Sequence, residues 1–457
     1  MRIYLFTFCI LLFASCATTR RAERHFYKSL KSEVETSPVF STAYTGFNLV
    51  DAATGRTLCA VNADRYFTPA STTKILTLAT CLKVLGDSIP GLRITGALLG
   101  GDEIRGGTRW IQAYLVEGTG DPTFLHPKFQ AWQNVFKYLK TNSVIFTSDP
   151  GKPPVTRLGP GWSWDDYSEG YSPERSIFPI YGNVATIRWG GDNWVVHPKF
   201  YQDSLLYQWT PTNKSYFQRA ETENRFIKSE SVPDEQLFAF EAHIPIFNAE
   251  QQKFHLLADT IGGAYDSVEA GNDTDYPDSF IFSTPVDTVY RRMMYESDNF
   301  VAEQLLLACA GVKYDTLQQE KIIPWVKDSL FGALPNPPRW VDGSGLSRYN
   351  LITPRYLTGV LQQLYREQPR ERLLSLFPAG GISGTLTDWY RGPDGKPFVF
   401  AKSGSMSGVQ CLSGYLLTKT GKVLIFSFMH NNFVGSGKPW KAEMQRFLLE
   451  LYNNGPQ

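Results

Sequence analysis

The sequence predicts an α+β protein whose helix-and-strand portions are separated by a long β-rich middle. Three observations predict it. Ile75, Leu76, Leu78, Ala79, Leu82 and Leu85 line one helical face near the start, and Leu357, Val360, Leu361 and Leu364 repeat the pattern near the end. Between residues 86 and 285 the composition turns to Trp, Tyr, Gly and Pro, with short strand-like runs and few long helices. The chain then closes on strand-like stretches at Phe398 to Lys402, Ser413 to Leu417 and Val423 to Met429.

Composition bounds the function. There are 45 Lys plus Arg and 44 Asp plus Glu in 457 residues, a net charge of +1. No basic excess supports nucleic-acid binding. Hydrophobic residues at 42% and charged residues at 19% provide real cores and exclude disorder. The length suits two or three units of ordinary size.

Taken in order, Met1-Arg2 and the apolar run from Ile3 to Ala14 read as a signal peptide, residues 1–15, too short to span a bilayer. Phe13-Ala14-Ser15-Cys16 resembles a bacterial lipobox, with Phe13 where Leu is usual, so Cys16 is the expected lipidation site. Residues 16–37 are polar and read as lipid attachment and tether. Ala43 to Val50 and Arg56 to Val61 read as strands around an Ala53-Thr54-Gly55 turn. In the middle, Gly182 to Trp189 and Leu237 to Ile246 are expected strands. Helical pattern resumes from Val286 to Ala310, and Thr353-Pro354 supplies an N-cap and first-turn Pro for the helix that follows. The last helix places Trp440, Met444, Phe447, Leu448 and Leu451 on one side. Cys59, Cys81, Cys309 and Cys411 form no C-x-x-C and read as buried thiols. The six His are scattered without zinc-ligand spacing, and no metal or other cofactor is expected.

Chemistry concentrates in three elements. Ser71-Thr72-Thr73-Lys74 opens a helix, and a spacing of three sets the Lys amine one turn from the Ser hydroxyl, where it can take its proton. Alone, the element is also what an N-capping Ser with a solvated Lys looks like. Ser297-Asp298-Asn299 is the only S-x-N in the chain. Its Ser can relay a proton, and its Asn amide can hold a substrate carbonyl. The third element has two candidates. Lys419-Thr420-Gly421 falls between apolar strands and reads as a hairpin turn. Lys402-Ser403-Gly404 ends a strand and runs on into Ser405, small residues beside which a peptide can lie and pair. Lys402 and the Ser403 hydroxyl can meet a carboxylate.

S-x-x-K, S-D-N and K-[ST]-G together are the signature of serine β-lactamases and penicillin-binding proteins. Further segments narrow it: Gly118 to Thr123, Trp162 to Asp166, Asp342 to Ser347 and Gly384-Thr385-Leu386. With them the sequence resembles the D-Ala-D-Ala carboxypeptidase/endopeptidase type of low-molecular-mass penicillin-binding protein, Ser403 replacing the usual Thr. The resemblance implies a serine β-lactamase/DD-peptidase-like domain, an antiparallel sheet flanked by helices, at 38–86 and 286–457. A β-rich inserted module interrupts it at 87–285. It implies Ser71 as nucleophile, Lys74 as base and Ser297 as proton relay. The Ser71 and Ser405 N–H groups would form the oxyanion hole. Asn299, Lys402, Ser403 and Gly404 would bind substrate, while Trp162 and Asp165 would line a pocket for a side-chain amine. The implied partners are peptidoglycan stem peptides, β-lactams as acylating inhibitors, and a membrane through the N-terminal lipid only. The implied place is the periplasmic side of a bacterial envelope. Ala17, where Asp would retain the lipoprotein inside, points to the outer membrane. Two rivals are weighed: a serine β-lactamase, opposed by the long insert and the absence of E-x-x-L-N, and a non-catalytic peptidoglycan-binding lipoprotein, opposed by the complete set of site residues.

Overall fold

The computed structural model describes residues 21–104, 107–148, 151–210, 216–269 and 278–455. The signal segment and Cys16 lie outside the described residues.

The chain ends meet in one five-stranded antiparallel sheet. Its order is Val399–Met406, Val409–Leu417, Val423–Asn431, Tyr44–Asp51 and Thr57–Val61. All nine residues of Val423–Asn431 are buried, as a strand covered on both faces requires. Alternation still divides the faces. Val423, Ile425 and Met429 join Leu78, Leu305 and Leu357 from the helices Lys74–Val84, Asn299–Tyr314 and Pro354–Glu367. Leu424, Phe426 and Phe428 face the opposite layer. There they meet Met444, Phe447 and Leu451 of the C-terminal helix Lys438–Asn454.

That opposite layer corrects the expected tether. Residues 21–36 are helical. Tyr27, Leu30 and Val34 are buried in the same core as Phe47 and Phe428, and Ser37 Oγ donates to Glu443 Oε1 at 2.8 Å. A stripe at i, i+3 and i+7 was enough to dock a helix that is otherwise charged.

The middle of the chain has its own core around Leu92, Val116, Phe146, Trp194 and Leu257. A second five-stranded sheet runs Ser267–Glu269, Ser143–Ser148, Gly107–Gly118, Ser88–Ile104, Ser279–Pro285, with parallel and antiparallel neighbours. Two three-stranded sheets accompany it. The middle also carries helices Gln133–Thr141 and Ala249–Ile261, more helix than its composition suggested. The expected strand at 182–189 begins at Val184, because Gly182 takes φ +68° in a turn. The one at 237–246 is limited to Glu241–Pro245. The four described cysteines are buried thiols, and Cys309 Sγ lies 3.6 Å from Cys81 Sγ. Among the described residues no helix is long and apolar enough to cross a membrane.

Candidate active site

Ser71 lies in the 3-10 turn Ala70–Thr73, which runs directly into the helix beginning at Lys74. The turn is pinned from both sides. Ala70 adopts φ +47°, uncommon for a residue with a Cβ. A Cβ on Gly345 would fall 2.0 Å from the Ala70 carbonyl. One on Gly404 would fall 2.7 Å from the Pro69 carbonyl and 3.0 Å from the Ser71 nitrogen. Both glycines therefore allow backbone to close on the serine. The close approach of Gly404 also lays the strand Val399–Met406 against the Ser71 N–H.

Lys74 is fully buried and donates three hydrogen bonds: to Ser71 Oγ at 3.0 Å, Asn299 Oδ1 at 2.6 Å and the Ser344 carbonyl at 2.7 Å. Burial pushes its amine down to about 8, against the pull of the Asp342, Glu303 and Asp298 carboxylates. Asn299 opens its helix, capped by Asp298, whose Oδ1 accepts from the Val301 N–H at 3.0 Å. Asp298 Oδ2 in turn meets Arg292 Nε at 2.9 Å. The Asn299 amide donates to the Tyr171 carbonyl at 2.8 Å, joining the middle of the chain to the site. Ser297 stands in the connection between helices with φ +57°. Its hydroxyl makes no hydrogen bond among the described residues.

Lys402 pairs with Ser413 in the sheet and is fully buried. Its Nζ donates to the Ser403 carbonyl at 2.8 Å. Burial, reinforced by the charge of Lys74, holds its amine well below the usual lysine range. The Ser403 hydroxyl donates to Thr385 Oγ1 at 2.7 Å, and Ser405 Oγ donates to Gln410 Oε1 at 2.9 Å on the paired strand. Lys419 lies in the hairpin turn after Leu417, where Gly421 takes φ +79°.

Trp162 and Asp165 separate. The Trp162 indole N–H donates to Asp342 Oδ2 at 2.9 Å, so its polar edge is committed to the protein. Asp165 is exposed and without a hydrogen bond among the described residues. Asp166 hydrogen-bonds Tyr171, whose hydroxyl burial and this carboxylate hold protonated, while Asp165 reaches it only through its charge. The Asp342–Ser347 segment forms a tight turn in which Gly345 takes φ +81°. The Asp342 carboxylate does organise that turn, accepting from Gly345 N at 2.9 Å and Ser347 N at 2.6 Å. Its Ser344 carbonyl, however, belongs to the site. Backbone acceptors carry no residue-type signal, so no motif could have announced it.

The chain and its fold have known counterparts. The model of the D-Ala-D-Ala carboxypeptidase 3 (S13) family matches residues 27–234 and 264–451. The D-alanyl-D-alanine carboxypeptidase DacB of Haemophilus influenzae is 30% identical over 181 residues, 37% of each chain. The D-alanyl-D-alanine carboxypeptidase of an Actinomadura species is 23% identical over 442 residues, 87% of this chain and 79% of that one. The alignments to the first three curated relatives span 37%, 26% and 36% of those proteins. The crystal structure of penicillin binding protein 4 (dacB) from H. influenzae superposes with a TM-score of 0.69 at 20% identity, over 93% of this chain and 98% of that one. The same protein complexed with a β-lactam gives 0.64 at 18% identity, over 94% and 99%. These likenesses establish a shared fold.

Proposed function

Because the chain belongs to the D-Ala-D-Ala carboxypeptidase 3 (S13) family, we propose that it is a serine-type D-Ala-D-Ala carboxypeptidase, active also as a DD-endopeptidase, on peptidoglycan stem peptides. The observation that carries this reading is the buried Lys74 amine 3.0 Å from the Ser71 hydroxyl. An amine near 8 is partly unprotonated at neutral pH and can accept the hydroxyl proton. Ser71 Oγ then attacks the carbonyl between the two D-Ala units. The developing oxyanion meets the Ser71 and Ser405 N–H groups, and Ser297 passes a proton to the departing nitrogen. Water completes the cycle by hydrolysing the acyl-enzyme. Asn299, Ser403 and Gly404 orient the peptide along the strand edge, with the Lys402 amine behind its carboxylate. The β-lactam complex of the H. influenzae relative supports acylation by penicillins.

Residues 38–86 and 286–457 form the catalytic domain in this reading, with 87–285 as the insert. The exposed Asp165 and its neighbour Asp166 supply negative charge for a substrate amine, with Trp162 bracing their loop. The enzyme works on the periplasmic side of a bacterial envelope, held to the outer membrane by lipid on Cys16.

Fluorescent penicillin tests the chemistry. Wild type labels and Ser71→Ala does not; equal labelling of the two sinks the assignment. Free D-Ala and severed cross-links from muropeptides then measure carboxypeptidase against endopeptidase action. Rapid, repeated turnover of penicillin would instead mark a β-lactamase.

A further inference from the structure

Behind Lys74 lies a buried carboxylate that the acyl-transfer steps do not use. Glu303 stands one turn along the helix from Asn299 and is fully buried. Its Oε1 accepts from the Ser344 N–H at 2.7 Å. The carbonyl of that same Ser344 accepts from Lys74 Nζ at 2.7 Å. Glu303 Oε2 accepts from Gln319 Nε2 at 2.6 Å, and Arg175 Nη1 lies 3.5 Å from it. Arg175 is buried too, and is anchored by donating to the Thr156 carbonyl at 3.0 Å and the Leu158 carbonyl at 2.9 Å.

We propose that Glu303 is a positioning residue for Lys74: it fixes the Ser344 peptide on which the amine rests, and its charge sets how readily Lys74 releases a proton. This rests on Lys74 being the base for Ser71. The groups facing Lys74 are Glu303 and Asp298 from one helix, Asp342 from its loop and Lys402 from the strand. Those facing Glu303 are Arg175, Asp342 and Lys74 itself. Burial and Asp342 raise the Glu303 carboxyl, while Arg175 opposes them and favours its charged form. An ionised Glu303 stabilises protonated Lys74 through a medium that screens weakly. Removing that charge makes Lys74 lose its proton at lower pH.

The test is the rate of acylation by fluorescent penicillin against pH, scaled to the fraction of enzyme that finally labels. Glu303→Gln is expected to move the midpoint down by about one pH unit. Glu303→Asp keeps the charge and is expected to restore the wild-type midpoint at a reduced maximal rate. A purely structural role would change the amount of active enzyme and leave the midpoint in place. A labelled wild type with an unmoved Glu303→Gln midpoint overturns the inference alone, as do equal shifts in both variants or failure of both to fold. A wild type that does not label overturns the acyl-transfer reading and the inference with it.

Discussion

Lys74 is held between burial, which expels its proton, and three carboxylates, which retain it. With an amine near 8, the basic form dominates above that pH and is lost as pH falls through it. Penicillin acylation of the wild type should therefore rise with pH around a midpoint near 8; a flat profile from pH 6 to 9 would remove Lys74 as the base. Ser71, Lys74, Asn299 and Lys402 were legible because each motif fixes residue types at short spacing along one element. Glu303 and Arg175 were not. Their roles come from contacts between distant segments, and an isolated Glu or Arg has no pattern. Asp165 shows the resolution limit of motif reading: two adjacent acids are equivalent in sequence, yet one is exposed and its neighbour meets Tyr171.

Helix ends were the most readable features at the element scale. Thr353 Oγ1 accepts from the Tyr356 N–H at 3.1 Å, as the Thr-Pro pair predicts. Thr353→Ala should lower stability to urea by about 1 kcal/mol with labelling unchanged. Asp298 is a cap with a second duty, since it also pairs with Arg292 and leads into Asn299. Asp298→Ala should cost about as much stability and also slow acylation; unaffected acylation would separate the cap from the site. The docked helix at 21–36 was missed because its charged residues outnumber its buried ones. Three apolar positions suffice once Phe47 and Phe428 offer a surface, and that surface is built by strands far along the chain.

Buried polar contacts, together with Ile89 and Phe129 packed into the main core, join the two regions of the molecule. Gln304 is fully buried, and its amide donates to the Gly120 carbonyl at 3.1 Å and the Ser176 carbonyl at 2.8 Å. Its carbonyl accepts from the Ser176 N–H at 3.1 Å. Gln304→Leu strands all three backbone groups, so a loss of about 2 kcal/mol or more is expected in urea unfolding. A smaller loss would mean that the two regions are held elsewhere. The β-rich middle was visible as a change in composition. Its mixed sheet was not, because strand order depends on pairings that no local pattern encodes.

Thr45, on the strand Tyr44–Asp51 of the five-stranded antiparallel sheet, bonds to His430, 385 residues later. That distance gives the protein a timetable. The strand carrying Tyr44 is translated early, but its inner neighbour and the Lys402 strand are made only after the whole middle region. Contacts of such long range are slow to form. The middle region has all of its own sheet strands once Pro285 is made, before Val399 opens the Lys402 strand, and can settle first. Ser71 is thus made early and meets the strand that closes on its N–H late.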